Sequence, residues 1–392
     1  MSKRLPHGPA AIAWAGVVVG LLATFVALPP IEVRSAVVPA VIGLVALAAG
    51  IAAWTRGERR VAAYAIAAGV LGFVIGYAAT RSSVSKLDAV VVWGALLAAM
   101  LRYATPLAFA ALGGLFSERS GVVNIGLEGM MLIGAFFAVW GSDLTGSWAL
   151  AILIAAGAGG AMGLLHAIFS VTLRTDQIVG GTAINFLALG ITSYLFFKLY
   201  GSHGTPSNIS TIPDVHLSFL GHGFFGDVFG RLNIMIWVGI ALVVVTWVFI
   251  FKTRLGLRVR AVGEHPRAAD TVGINVYAVR YAAVTFSGVL AAAGGAYLSI
   301  GFGNSFTENM TAGRGFIALA ALIFGNWRPF GAAAACLLFG FSSALGVNLQ
   351  AYSLSISTLF TALPYFLTLV AVAGVIGRST PPAADGIPYK KQ

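Results

Sequence analysis

About twelve apolar runs, most near 20 residues long, follow one another through this chain with only short polar connections between them. A run of about 20 apolar residues is the length that crosses a bilayer as a helix, and lipid allows the backbone only helices or closed barrels. The runs lie near residues 10–28, 36–54, 61–79, 89–115, 125–141, 149–173, 178–200, 233–251, 281–301, 315–325, 331–349 and 357–377. The expected fold is all-α: a polytopic membrane protein of about 10–12 transmembrane helices with broken or re-entrant segments. Two runs are irregular. Residues 89–115 carry Arg102 and Pro106, so the first half can lie at the interface, and 315–325 is too short to span alone. Hydrophobic residues are 58% of the chain and charged residues 9%, against roughly 25% charged in soluble domains.

The formal charge of +11 does not point to nucleic acid, because the basic residues sit in the connections between apolar runs. With the N-terminus inside, 17 of the 24 Lys and Arg fall on inner segments and 6 on outer ones. The positive-inside rule therefore expects both termini and the 252–280 connection to face the cytoplasm. Residues 10–28 end in LPPIEV rather than in a small-residue cleavage site, and read as a retained first helix. Cys336 is the single cysteine and lies in an apolar run, so no intrachain disulfide framework is expected.

Two polar stretches are long. Residues 201–232 hold His203, His216 and His222, but a metal site wants tighter and more regular ligand spacing, so a folded surface loop is expected and no metal. Residues 252–280, KTRLGLRVRAVGEHPRAADTVGINVYAVR, carry six basic residues and two acids. Pro266 suits a first helical turn, Arg267 to Asp270 continue it, and Gly273 is placed to end it. A basic loop resting near anionic lipid explains the charge; a connection built to touch a partner explains the embedded helix as well.

Polar groups inside apolar runs are functional candidates, because burial in hydrocarbon is costly. Asn124 and Glu128 belong to SERSGVVNIGLEGMM, where Gly121, Gly126 and Gly129 permit a broken backbone. TAGRGFIALAALIFGNW, in the last third of the chain, is a second glycine-punctuated short segment. Two such segments in separate halves are the usual pointer to a transport path near the membrane midplane. Glu128 can instead pair with a basic neighbour, Arg119 being nearest in sequence, and anchor the break. Thr182 and Asn185 can line a cavity or bond neighbouring helices, His166 can relay protons or bond a helix, and Phe316 and Trp327 can stack on a planar ring. There is no phosphate-loop motif, no HExxH helix and no grouping that resembles a catalytic triad.

The segments Leu101 to Phe136, Val262 to Tyr297 and Gly313 to Ala332 resemble the inner-membrane permeases of bacterial ABC importers in the branched-chain amino acid, ribose and nucleoside group. LFSERSGVVNIGLEGMM is most similar to the nucleoside branch. The resemblance covers roughly residues 90 to 375 and divides the chain into extra N-terminal helices (1–88), a permease core (89–377) and a cytoplasmic tail (378–392). It implies that Gly263, Glu264, His265, Pro266, Arg267, Ala268, Ala269, Gly273 and Ile274 form a coupling helix that docks in a cleft of an ATPase subunit. It also implies ABC ATPase subunits that use the ATP, a second paralogous permease, an extracytoplasmic substrate-binding lipoprotein, and no cofactor on this chain. The substrate pathway is expected near Asn124, Glu128, Thr182, Asn185 and Phe316. A monosaccharide permease, an ion-coupled transporter working through Glu128 or His166, and a membrane enzyme acting on lipid-linked substrates are the rivals.

Overall fold

The computed structural model describes residues 8–27, 37–80, 92–201, 204–206, 208–221, 223–352, 362 and 380–391. Almost all of the expected 357–377 span, together with His203 and His222, lies outside the described residues. The described chain is built of 14 α-helices and one small two-stranded hairpin. Eight of the helices are long and apolar enough to cross a membrane. The chain divides into two compact units, residues 1–100 with 341–378, and residues 101–340 with 379–392.

In the first unit α1 (Pro9–Ala27), α2 (Val37–Thr55) and α3 (Arg59–Thr80) pack on one another through small residues. Lipid tails are as apolar as leucine, so close van der Waals approach replaces the hydrophobic drive between helices. Here the backbones of α2 and α3 meet at Gly43 and Gly69, where a Cβ on Gly43 would come within 2.9 Å of the Gly69 carbonyl oxygen.

α4 (Trp93–Arg119) is one continuous helix in spite of Arg102 and Pro106, not an interfacial piece followed by a span. Arg102 is accommodated because its guanidinium reaches the Arg231 carbonyl. The second unit continues with α5 (Leu127–Thr145), α6 (Trp148–Ala167, prolonged by a π-helical turn to Thr172) and α7 (Gln177–Tyr200). The 201–232 stretch is folded, as its composition leads one to expect. It contains β1 (Asp214–His216), α8 (Phe224–Phe229) and β2 (Arg231–Asn233), the strands pairing antiparallel with Asp214 opposite Asn233. Asn233 then caps α9 (Ile234–Lys252) by accepting from the Met235 N–H.

α10 (Arg254–Glu264) was not expected. Its signals were Thr253, whose hydroxyl accepts from the Gly256 N–H, and a helical stripe of Leu255, Val259 and Val262. The short helix foreseen after it is α11 (Pro266–Thr271), with Pro266 in the first turn and Gly273 at φ +85°. α12 (Val276–Ala296) runs on into a π-helical stretch to Gly303 and is the most enclosed of the long helices. α13 (Arg314–Phe324) is a half-length helix, and α14 (Pro329–Tyr352) follows it.

α12 is central because its Ser287–Ala296 stretch is nearly all Gly, Ala and Ser. A Cβ on Gly288 would lie 2.2 Å from the Gly159 carbonyl oxygen of α6, and Gly134 of α5 packs on the backbone of Ala292. Such approach is open only to residues without side chains.

Candidate functional site

Between α4 and α5 the backbone leaves the helical path at residues 120–126, deep in the protein. Irregular backbone in a membrane protein is tolerated where protein satisfies its N–H and C=O groups, and here side chains from four helices do so. The Val123 N–H donates to the Gln177 side-chain oxygen at 2.7 Å, and His166 Nε2–H donates to the Val123 carbonyl at 3.0 Å. Ser117 donates to the Val122 carbonyl, and Asn185 both donates to the Ile125 carbonyl at 3.1 Å and accepts from the Gly129 N–H at 2.8 Å. Asn124, fully buried, donates to the Ser287 hydroxyl at 2.9 Å. Asp176 caps α7 by accepting from the N–H groups of Ile178 and Val179, which sets Gln177 in the first turn facing the break.

Glu128 joins this break to the second one. Its carboxylate accepts from the backbone N–H of Gly313 at 2.8 Å and of Gly315 at 2.5 Å, at the start of α13. Of the two readings open for Glu128, pairing with Arg119 is the one the structure does not show. The unpaired N–H groups and positive dipole end of a half-helix compete better for a buried carboxylate than a side chain from the far side of the break. Gly315 must lack a side chain there, since a Cβ would come within 2.5 Å of the Glu128 backbone. The two glycine-punctuated segments are thus in direct contact.

Thr182 turns its hydroxyl back to the Ile178 carbonyl of its own helix and is exposed, while Phe316 is half-exposed on α13. Neither side chain is hydrogen-bonded to the group around Glu128 in the described residues. A polar cavity of about 640 Å³ lies elsewhere in this unit, among Arg102, Asp214, Arg231, Asn233, Tyr297 and Asn304, and none of the five expected pathway residues lines it.

The expected coupling residues converge at the end of α9 that carries α10 and α11. Gly263 packs against the backbone of Arg119, where a Cβ would come within 2.2 Å of the carbonyl oxygen. Arg119 donates twice to the Trp327 carbonyl, at 3.0 and 2.8 Å, and stands 3.9 Å from the Glu264 carboxylate. The Trp327 indole is buried and donates to Glu118, so it is not free to stack on a ring in this conformation. Arg280, also buried, donates to the Ser120 carbonyl at 3.2 Å and to that of Ile387 at 3.0 Å. Ala269 is buried with Val262 and Val276, whereas His265, Arg267, Ala268 and Gly273 are exposed and Pro266 and Ile274 partly so.

Sequence reasoning missed Gln177, Glu118, Arg280 and the 380–391 segment. Polar residues at the ends of apolar runs, and SER just before the glycine-rich break, were the available signals.

A family described as the branched-chain amino acid transport system permease component matches residues 96–372. The chain belongs to that family. It is 44% identical over 321 residues to the guanosine ABC transporter permease protein NupQ of Bacillus subtilis, covering 78% of this chain and 99% of that protein. To the nucleoside ABC transporter permease protein NupC of Lactococcus lactis it is 39% identical over 316 residues, covering 76% and 96%. The same Bacillus strain supplies a second similar permease of the family, the guanosine ABC transporter permease protein NupP, 30% identical over 250 residues and covering 61% and 70%. No solved structure matches the chain.

Proposed function

We propose that this permease is the transmembrane subunit of an ATP-driven importer of nucleosides. ATP is hydrolysed by separate ATPase subunits, a second and related permease completes the translocation path, and an extracytoplasmic lipoprotein delivers the substrate. Likeness to NupQ over nearly its whole length carries the substrate reading, and the match of both NupQ and NupP supports a paired permease. Both termini and α11 face the cytoplasm, in keeping with the bias of basic residues.

The coupling role rests on one observation, the contact of Gly263 with Arg119 immediately before the first break. Closure of the ATPases displaces α11 and α10, and Gly263 passes that displacement to residues 120–126. There Asn124 and Asn185 tie the first break to α12 and α7, and Glu128 joins it to the second; Thr182 and Phe316 complete the proposed pathway. Ligand choice is shared with the binding protein.

The test is copurification in mild detergent, then uptake of labelled guanosine into liposomes holding the isolated complex. Expected are an ATPase and a second permease with this chain, ATP-dependent uptake, and loss of uptake with normal membrane insertion in Arg267→Glu. Uptake by the chain alone under an ion gradient, or of monosaccharides in place of nucleosides, overturns the mechanism or the substrate respectively.

A further inference from the structure

Residues 380–391 are not needed by any step above, yet they are stitched to the protein along their whole length. Their contacts fall into two sets. One set holds the coupling elements. Ala383 and Ala384 donate their N–H groups to the Glu264 carboxylate at 3.2 Å and the Gly263 carbonyl at 2.8 Å. Lys391 stands 3.7 Å from Asp270, and the Tyr389 ring is buried against Val262, Ala269 and Val276.

The other set holds the membrane bundle. The Ile387 carbonyl accepts from Arg280, which also bonds Ser120 at the start of the first break, and Gly386 lies beside Val123 within it. The Thr380 N–H donates to Asn326 in the turn before α14. The segment therefore spans the space between α11 and the break, and touches both.

α11 has only six residues, far fewer than a helix needs to stand by itself, so its position depends on what it packs against. Its one buried side chain, Ala269, is covered on one side by Tyr389. Without that cover, a push on α11 is absorbed by the 265–275 connection.

We infer that residues 380–391 brace the coupling unit, holding α11 at a set distance from residues 120–126 so that its displacement reaches the break. The inference deepens the importer reading and rests on it for what pushes α11; the brace itself does not depend on that reading.

Two readouts test it, using Tyr389→Ala, Tyr389→Phe and a chain lacking residues 379–392. In the purified chain, amide exchange over residues 264–274 is expected to quicken about ten-fold in Tyr389→Ala and in the shortened chain, and to stay at the unaltered rate in Tyr389→Phe, which keeps the ring. In the reconstituted complex, ATP consumed per nucleoside delivered is expected to rise about ten-fold in the same two variants, with Tyr389→Phe coupled normally. Unchanged exchange overturns the brace. Faster exchange with an unchanged ATP-to-nucleoside ratio overturns its part in transmission, and so does an equal fall of hydrolysis and uptake. Failure of the unaltered complex to import with ATP strikes the importer reading instead, and leaves the exchange result to decide the brace.

Discussion

Replacing Glu128 by Gln probes the join between the two breaks. In the unaltered protein both carboxylate oxygens accept backbone N–H groups at the N-terminus of α13, from Gly313 and Gly315. Gln keeps one acceptor and turns an NH₂ toward the other donor, so one buried N–H loses its partner and the half-helix loses its counter-charge. A hydrogen bond to a charged group is worth about 1.5–3 kcal/mol, and the counter-charge at a helix N-terminus adds up to about 2 kcal/mol where partly buried. A net loss of about 3 kcal/mol raises local opening of α13 about 100-fold, at 1.4 kcal/mol for each factor of ten. Hydrogen exchange of the amides of residues 313–318 reads this directly, with α12 as the internal reference. Gly315→Ala, which drives a Cβ against both the backbone and a carboxylate oxygen of Glu128, is expected to loosen the same amides while leaving the charge in place. Protection of residues 313–318 equal to that of the unaltered protein in Glu128→Gln would refute the join.

Three further outcomes are expected. Trp327→Phe leaves the Glu118 carboxylate, 3% exposed, without its indole donor and lowers stability by about 1–3 kcal/mol, measurable as a fall in thermal midpoint in detergent. Gly288→Val cannot be accommodated, because the Gly159 carbonyl already occupies the place of a Cβ, so the variant is expected to be lost to degradation or to aggregate on size-exclusion chromatography. Burial pushes the Asp385 carboxyl up to about 7, with Glu118 and Arg280 the titratable groups facing it. Because the docked form holds the proton more tightly than the undocked form, docking of residues 380–391 is strongest below the ordinary carboxylate pKa and weakens as pH rises through 7. Between about pH 6 and pH 8 it should fall about ten-fold, read by exchange of those amides after correction for intrinsic rates, and Asp385→Asn should flatten the profile.

The spans were legible because a bilayer demands both length and apolarity of each one. α1, α2 and α9 begin and end within about two residues of the runs read from composition. α11 was legible because Pro266 and Gly273 mark its two ends locally. What stayed hidden was whatever depended on distant partners. Arg119 is near Glu128 in sequence, but the intervening break turns it toward Trp327 and Glu264. His166 was open to bonding a neighbouring element or relaying protons, and only the fold shows that its Nε2 serves the Val123 carbonyl. Nothing near Gln177 in the sequence announces that it accepts the N–H of the same residue. α10 was hidden because Arg254, Arg258, Arg260 and Glu264 interleave with its apolar stripe.

The glycine seam of α12 also bears on how such a chain can diverge. Gly288 and Gly159 are excluded from change singly, since a side chain on either one meets the other's backbone, and enlarging both makes the clash worse. Innovation along this lineage is therefore channelled away from the α6–α12 crossing. Exposed positions such as Phe186 and Phe225 are where substitutions can accumulate and new specificities or partners can arise.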